Sequence, residues 1–376
     1  MIPFNKPSIT EKEIACVTDA MKNSRLSGDG AYTKKVYEQM KERFGIDRML
    51  LTTSGTASLE MAFLLIGLKP GDEVIAPSFT FSSTINAFML RGARPVFCDV
   101  RPDTMNIDEK KIEELITDKT KAICTVDYAG VACEYDVIED IAKRHNLYLI
   151  EDAAQGVGST YHGKPLGTFG QLGCYSFHET KNYIMGEGGA LVVNDPSYMD
   201  LAEIIREKGT NRSQLLKGMV DKYTWHEVGG SYLPADILAA VLYAQMTRFD
   251  EIMEKRMAVW NTYQEQLADL EQGGYLRRLT VPEGCGINAH MYNIVLPSDE
   301  IRTNLSDRLM EKGIYAYICY VPLHSAPMGR KAGYKPEDCP LTEEYGNRII
   351  RLPLHAEMTA EDAATVVDEI GNILKA

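Results

Sequence analysis

A chain of 376 residues, 45% hydrophobic and 25% charged, is long enough for two sizeable cores and too apolar to stay disordered. Its 53 acidic residues outnumber the 40 basic ones, and the net charge of −13 argues against nucleic acid or an anionic membrane as the main partner. Small anions can still bind at local sites. Eight cysteines (Cys16, Cys98, Cys124, Cys133, Cys174, Cys285, Cys319, Cys339) include no CxxC pair, and several sit in apolar runs such as Ala122-Ile-Cys-Thr-Val126. They predict buried thiols in a reducing compartment. The sequence begins without a basic-then-apolar leader, and its longest apolar runs, Met61 to Leu68 and Ile237 to Met246, are too short to span a bilayer. The expected location is cytoplasmic.

Thr10-Glu-Lys-Glu13 has the pattern of a capping box and predicts a helix to about Met21; a second follows from Ala31 to Phe44. Met49-Leu-Leu-Thr52 reads as a strand that feeds Ser54-Gly55-Thr56 and then an amphipathic helix with Leu59, Ala62, Phe63 and Ile66 on one face. Small residues at a helix start either cap it or bind an anion with free N–H groups and hydroxyls. Both readings are open at this point. Strands and helices then alternate: Glu73 to Ala76, helix Thr84 to Leu90, Pro95 to Asp99, helix Ile107 to Ile116, Ala122 to Val126, helix Val137 to His145, Leu147 to Ile150. That rhythm predicts a mostly parallel sheet covered on both faces, with ligands beyond the carboxyl ends of its strands. Ser54-Gly-Thr56, Phe79-Thr-Phe81 and Glu151-Asp152-Ala-Ala-Gln155 fall there.

Asp152, leaving a buried strand, is costly unless it caps the next turn or meets a cation. Gly158-Ser-Thr-Tyr-His-Gly163-Lys164 matches GxxxxGK, but Pro165 stands where a metal-binding hydroxyl is needed, so a hairpin is expected instead of a phosphate loop. Strands Cys174 to Phe177 and Ala190 to Val193 flank a polar, glycine-bordered turn that carries Lys181. Such a lysine is either a solvated surface charge or a partly desolvated amine able to attack a carbonyl. Leu201 to Lys208 predicts a helix, and a long polar loop holds Arg212 and Lys217. A helical region from Ala235 to about Leu270, broken near Phe249-Asp250, links to a smaller strand-and-helix domain: Tyr292 to Leu296, Leu305 to Glu311, Ile314 to Tyr320 and a final helix Ala360 to Leu374.

An anchor for a phosphate, an aromatic plate, a strand-end acid with Gln155, and an amine together match the needs of pyridoxal 5'-phosphate (PLP). The segments Ser54-Gly-Thr-Ala-Ser-Leu59, Pro77-Ser-Phe-Thr-Phe81, Glu151-Asp-Ala-Ala-Gln155, Ser176-Phe-His-Glu-Thr-Lys-Asn182 and Gly186-Glu-Gly-Gly189 resemble, in order and wording, the DegT/DnrJ/EryC1/StrS sugar aminotransferases over nearly the whole chain. The resemblance implies an α/β fold of fold-type I, like aspartate aminotransferase: a mixed, mostly parallel seven-stranded sheet with a smaller C-terminal α/β domain. Residues 1–248 would form the large PLP-binding domain and 249–376 the small one, in a homodimer with shared active sites and no metal. It also implies roles. Lys181 would take the cofactor's aldehyde, Asp152 its ring nitrogen, Gln155 its ring hydroxyl and Phe81 its ring face; Ser54, Gly55, Thr56 and Ser176 would hold its phosphate. Tyr183, Arg212, Tyr320 and His324 would lie on the substrate side.

Relatives with histidine in place of this lysine dehydrate sugars at C3, so Lys181 favours transamination. The wording of Cys98–Asp108, Tyr128–Glu134 and Arg206–Gln214 implies transfer from L-glutamate to C4 of dTDP-4-keto-6-deoxyglucose, giving dTDP-4-amino-4,6-dideoxygalactose for surface polysaccharide. Another nucleotide-sugar C3 or C4 aminotransferase is the alternative. Two departures stand out. Gly230-Ser231-Tyr232-Leu233 replaces a Gly-x-Asn-Tyr-Arg motif whose Asn reaches the partner's phosphate, and Asp127 replaces a common histidine. Asp127 would either reshape the substrate pocket or pair with a nearby base.

Overall fold

The computed structural model describes residues 1–23, 26–318 and 320–376. At the start of α1 (Glu11–Asn23) the Glu13 carboxylate accepts both the N–H and the hydroxyl of Thr10, at 2.7 and 2.6 Å. The return half of the predicted box is present; the hydroxyl is turned toward the carboxylate. Helix α2 (Ala31–Phe44) has its predicted bounds and ends at Gly45 with φ of 69°, where a side chain would be strained.

Strand β1 (Met49–Thr52) enters α3 (Gly55–Leu65), and β2 (Glu73–Pro77) enters α4 (Ser82–Met89). The expected amphipathic pattern of α3 is not what forms. It lies between the sheet and α4, so Leu59, Met61, Ala62, Phe63 and Leu65 are all buried. Strands β3 (Arg94–Cys98), β4 (Thr120–Val126) and β5 (Tyr148–Asp152) alternate with α5 (Glu109–Ile112) and α6 (Tyr135–Arg144). The predicted 107–116 helix shrinks to α5 and one 3-10 turn, because Asp108 caps it at the Lys110 N–H and Ile116 is already extended. Next, β6 (Thr160–Tyr161) and β7 (Lys164–Pro165) form the predicted hairpin, with His162 and Gly163 left-handed at φ of 48° and 79°. The GxxxxGK match is therefore a turn between strands.

With β8 (Leu172–Ser176) and β9 (Gly189–Val193) the main sheet is complete: seven strands in the order β1-β9-β8-β5-β4-β2-β3, parallel except at β9. After α7 (Met199–Arg206) and α8 (Arg212–Leu216) the segment expected to be polar instead exposes Leu216, Met219 and Trp225. The helical linker breaks at Arg248, between α9 (Asp236–Thr247) and α10 (Phe249–Gln266), and a short α11 (Ala268–Gln272) follows.

The remaining chain supplies β10 (Arg277–Arg278), β11 (Cys285–Gly286), β12 (Tyr292–Val295), α12 (Asp299–Glu311), β13 (Tyr317–Ile318), α13 (Pro327–Lys331), α14 (Pro340–Arg348), β14 (Ile349–Leu352) and α15 (Ala360–Leu374). An antiparallel sheet, β10-β12-β14-β13, packs on α10, α12 and α15 around Tyr263, Ile294, Ile350, Leu352 and Val366. β14 had no counterpart among the predicted strands, and the strand expected over 314–320 contracts to β13. A smaller cluster of Phe79, Met105, Tyr128, Met291, Val295 and Ile349 seals this sheet against the large one. Five of the described cysteines are buried, Cys16 and Cys285 are half-buried, and none is paired; Cys319 lies outside the described residues. Among the described residues no helix is long and apolar enough to cross a membrane.

Candidate active site

Four loops leave the carboxyl ends of strands β1, β2, β5 and β8 on one side of the main sheet, and they enclose a cavity of about 380 Å³. Ser54, Gly55 and Thr56 follow β1, Phe81 and Thr84 follow β2, Asp152 and Gln155 end and follow β5, and Ser176 and Lys181 end and follow β8. Tyr320 and Arg351 close it from the smaller sheet. This is the place where a doubly wound sheet is expected to hold a ligand.

One wall is built as a cradle. Ser54 caps α3 by accepting the Ala57 N–H at 3.0 Å, and no backbone carbonyl among the described residues takes the Gly55 or Thr56 N–H. Those donors sit at the positive end of a helix dipole. Close packing keeps the wall bare: a Cβ on Gly55 would lie 2.9 Å from the Ser176 Cβ, and one on Gly189 would lie 2.5 Å from the Gly55 nitrogen. The two readings of Ser54 thus coexist, since its side chain caps the helix while the turn it shapes offers N–H groups and the Thr56 hydroxyl, itself 2.7 Å from Ser83 Oγ.

Asp152 is the deep acid. Thr84 Oγ1 donates to its Oδ2 at 2.7 Å and the Ala154 N–H to its Oδ1 at 3.1 Å. Burial pushes its pKa up, against those hydrogen bonds and the nearby Lys181 charge. A cationic ring nitrogen placed against it would restore the ionised form. Gln155 is fixed at both ends: its Oε1 accepts the Ala129 N–H at 2.7 Å and its Nε2 donates to Tyr320 Oη at 2.8 Å. Phe81, which heads α4, leaves 59% of its surface uncovered while lining the cavity. A large exposed ring at a polar cavity is the flat plate an aromatic ligand needs. Anion cradle, acid, ring plate and amine therefore fit PLP.

The substrate-side expectations divide. Tyr320 lines the cavity. Tyr183 is buried and stacked on Phe249, with ring centroids 4.3 Å apart, and its hydroxyl donates to the Phe249 carbonyl. Arg212 is paired with Glu207 at 3.1 Å, and Lys217 donates to both oxygens of Glu203. His324 is fully buried: its N–H donates to Ser78 Oγ at 3.0 Å, the same oxygen lies 2.6 Å from its Nδ1, and the Glu343 carboxylate lies 3.4 Å from its Nε2. Pro-Leu-His is thus a structured turn. Among the described residues Asp127 meets no base: it accepts the Tyr135 hydroxyl at 2.8 Å and faces a second acid, Glu151.

Two cavity residues from the C-terminal part of the chain escaped the sequence reading. His290 Nδ1 donates to Asn182 Oδ1 at 2.9 Å, an orientation fixed because Asn182 Nδ2 donates to the Asn288 carbonyl at 2.7 Å. The bare Nε2 is left as an acceptor, and burial with the Lys181, Arg256 and Arg351 charges holds its pKa well below that of free imidazole. Arg351 is the other; its signal was a single cation inside the apolar run Ile349-Ile-Arg-Leu352.

Comparison with known proteins agrees with this geometry. Residues 7–371 match the DegT/DnrJ/EryC1/StrS aminotransferase family. The chain is 31% identical to GDP-perosamine synthase of Escherichia coli O157:H7, covering 98% of this chain and 97% of that one. It is 30% identical to the dTDP-4-dehydro-2,3,6-trideoxy-D-glucose 4-aminotransferase of Saccharopolyspora spinosa, over 98% and 96% of the two chains. Spr1654 from Streptococcus pneumoniae, solved in its PMP form, superposes with a TM-score of 0.93 at 26% identity over 100% and 99% of the chains. The chain belongs to the DegT/DnrJ/EryC1/StrS aminotransferase family and is a PLP-dependent nucleotide-sugar aminotransferase.

Proposed function

We propose that the protein moves an amino group from L-glutamate to C4 of a nucleotide-linked 4-keto-6-deoxy sugar, dTDP-4-keto-6-deoxyglucose by preference, to give dTDP-4-amino-4,6-dideoxygalactose for surface polysaccharide. The observation that carries amine transfer is Lys181 in one cavity with the buried Asp152. C4 as the acceptor is supported by the 4-aminotransferase from Saccharopolyspora spinosa. When bound, PLP supplies an aldehyde for the donor's amine and a ring that accepts the electron pair left when a Cα proton departs. Ser54, Gly55, Thr56 and Ser176 would hold its phosphate, Phe81 its ring face and Gln155 its ring hydroxyl.

The chain's own groups then do the proton work. Lys181 Nζ would take the proton from the donor's Cα and deliver one to the oxo carbon of the acceptor. Asp152, ionised against the ring nitrogen, keeps that nitrogen protonated. His290 presents its neutral Nε2 on the same cavity as Lys181, as a hydrogen-bond acceptor. A cytoplasmic homodimer is part of the same reading, as is a division into domains 1–248 and 249–376, supported by the helix break at Arg248.

The test is an assay of glutamate with dTDP-, GDP- and UDP-linked 4-keto sugars, the new nitrogen located by NMR of the product. Nitrogen at C3, or no product from any dTDP sugar, would overturn the assignment. Lys181→Ala should cut turnover by about 10²–10⁴-fold or more, and steady-state rates near wild type in that variant would remove Lys181 from the mechanism.

A further inference from the structure

The turn that carries Lys181 is a loop pinned at its neck. The Phe177 N–H donates to the Gly188 carbonyl at 2.8 Å, the Met185 N–H to the Phe177 carbonyl at 2.7 Å, and the Glu179 N–H to the Gly186 carbonyl at 2.8 Å. Lys181 closes a tighter turn inside it, its N–H donating to the His178 carbonyl at 2.8 Å. His178 and Gly186 pair as an isolated bridge, which fixes the backbone of Glu187 close to that of His178. Both side chains line the cavity that holds Lys181.

The two side chains face each other without satisfying each other. His178 Nδ1 accepts the Thr180 N–H at 3.2 Å, so the ring proton sits on Nε2. That N–H faces Glu187 Oε1 at 3.6 Å, too far for a hydrogen bond. Among the described residues Asp152 is the other carboxylate lining the cavity, and it is deep and occupied by Thr84 and Ala154. Glu187 stands at the open side, its side chain 69% exposed. A donor and an acceptor held slightly too far apart are matched by a group that both accepts and donates, and a hydroxyl does both. A phosphate or carboxylate would be repelled by Glu187, and a ketone oxygen could use the N–H alone.

We infer that, within the amine-transfer reading above, on which this rests, Glu187 and the His178 Nε2–H hold a ring hydroxyl of the keto-sugar while its C4 faces Lys181. The hydroxyl donates to the carboxylate and accepts from the imidazole. Amine and binding pair stand on one pinned loop, so a sugar held by its hydroxyl meets the amine with little freedom left to lose. The pair makes the enzyme selective for sugars that keep hydroxyls at C2 and C3 over deoxy sugars.

Two substrates and two half-reactions test this. The PLP-loaded enzyme is aminated with glutamate and then mixed with dTDP-4-keto-6-deoxyglucose, which has both hydroxyls, or dTDP-4-keto-2,3,6-trideoxyglucose, which has neither; the cofactor's absorbance follows each step. Glu187→Ala should lower kcat/KM for the hydroxylated sugar by about 10–50-fold, the loss of one charged hydrogen bond. For the trideoxy sugar the change should stay within about twofold, since no hydroxyl is there to lose. Glu187→Gln should recover part of the loss, because an amide oxygen still accepts. His178→Phe should also lower kcat/KM for the hydroxylated sugar, and the double variant should lose less than the product of the two single losses, because both residues meet one hydroxyl. Unchanged kcat/KM with the hydroxylated sugar in Glu187→Ala overturns the inference. So does an equal loss with both sugars, which would place Glu187 on the nucleotide, or an equal loss in the glutamate half-reaction, which would make it a brace for the Lys181 loop. The wild-type rates test the C4 assignment. The ratio of variant to wild type, on whichever hydroxylated keto-sugar the enzyme aminates, tests this inference, so the two fail separately.

Discussion

Beneath the cavity, Asp127 and Glu151 form a pair of buried acids on neighbouring strands, on the side of the sheet opposite Asp152. Glu151 accepts the Gly167 and Phe169 N–H groups, whereas Asp127 accepts the Tyr135 hydroxyl and keeps Oδ2 without a donor among the described residues. Burial pushes both pKa values up, that of Asp127 to about 7. An acid whose folded pKa exceeds its unfolded value holds more proton when folded. Its stabilising protonated form is complete near pH 4 and is lost as the pH rises through about 7. Asp127→Asn should therefore raise the unfolding free energy by about 1–3 kcal/mol at pH 8 and leave it nearly unchanged at pH 4. Urea unfolding at the two pH values checks this; an equal effect at both would mean that no proton is bound there. The sequence offered Asp127 only as a departure from a pattern, and its partner could not be read because strand register decides which acids meet.

At the scale of elements, the cradle of free N–H groups proposed to hold the phosphate depends on a strand lying against a helix end. Gly189 opens β9 opposite Thr52, and its missing side chain is what lets Ser54 and Gly55 approach. Gly189→Ala should force the α3 terminus outward, weaken PLP binding at least tenfold and cost about 1–3 kcal/mol of stability, the usual scale of overpacking. Equilibrium dialysis with PLP measures the first effect and thermal unfolding the second; wild-type affinity would show that the wall can yield. This region was legible because its cues are local: a strand, small residues, then a helix. Lys181, Asp152 and Gln155 were likewise legible, each at the end of a strong apolar run. Arg351 and His290 were not, because they enter from β14 and the segment before β12, and only tertiary packing carries them to the large sheet. The amphipathic reading of α3 missed for a related reason: a helix covered on both sides loses its polar face, and period alone cannot show that.

For the whole molecule, the open question is what covers the apolar surface after α8. Leu216, Met219 and Trp225 are 63%, 66% and 75% exposed within a stretch of ten residues, though the Trp225 indole N–H donates to the Glu227 carbonyl at 2.6 Å. Single exposed hydrophobics are ordinary, whereas a local group of them marks a surface that associates. Phe81, the proposed ring plate, is also 59% uncovered in the single chain. In the homodimer of the proposed function, a second copy would cover these surfaces. Ser231, bridged to Glu207 beside this segment, is short and exposed, so the contact it makes must differ from one built on an asparagine. Replacing Met219 and Trp225 with serine should shift the sedimenting mass toward the monomer, and activity per chain should fall as the protein is diluted. If the double variant keeps the wild-type mass and its activity at every dilution, the segment is not the interface, and Phe81 is covered by ligand alone.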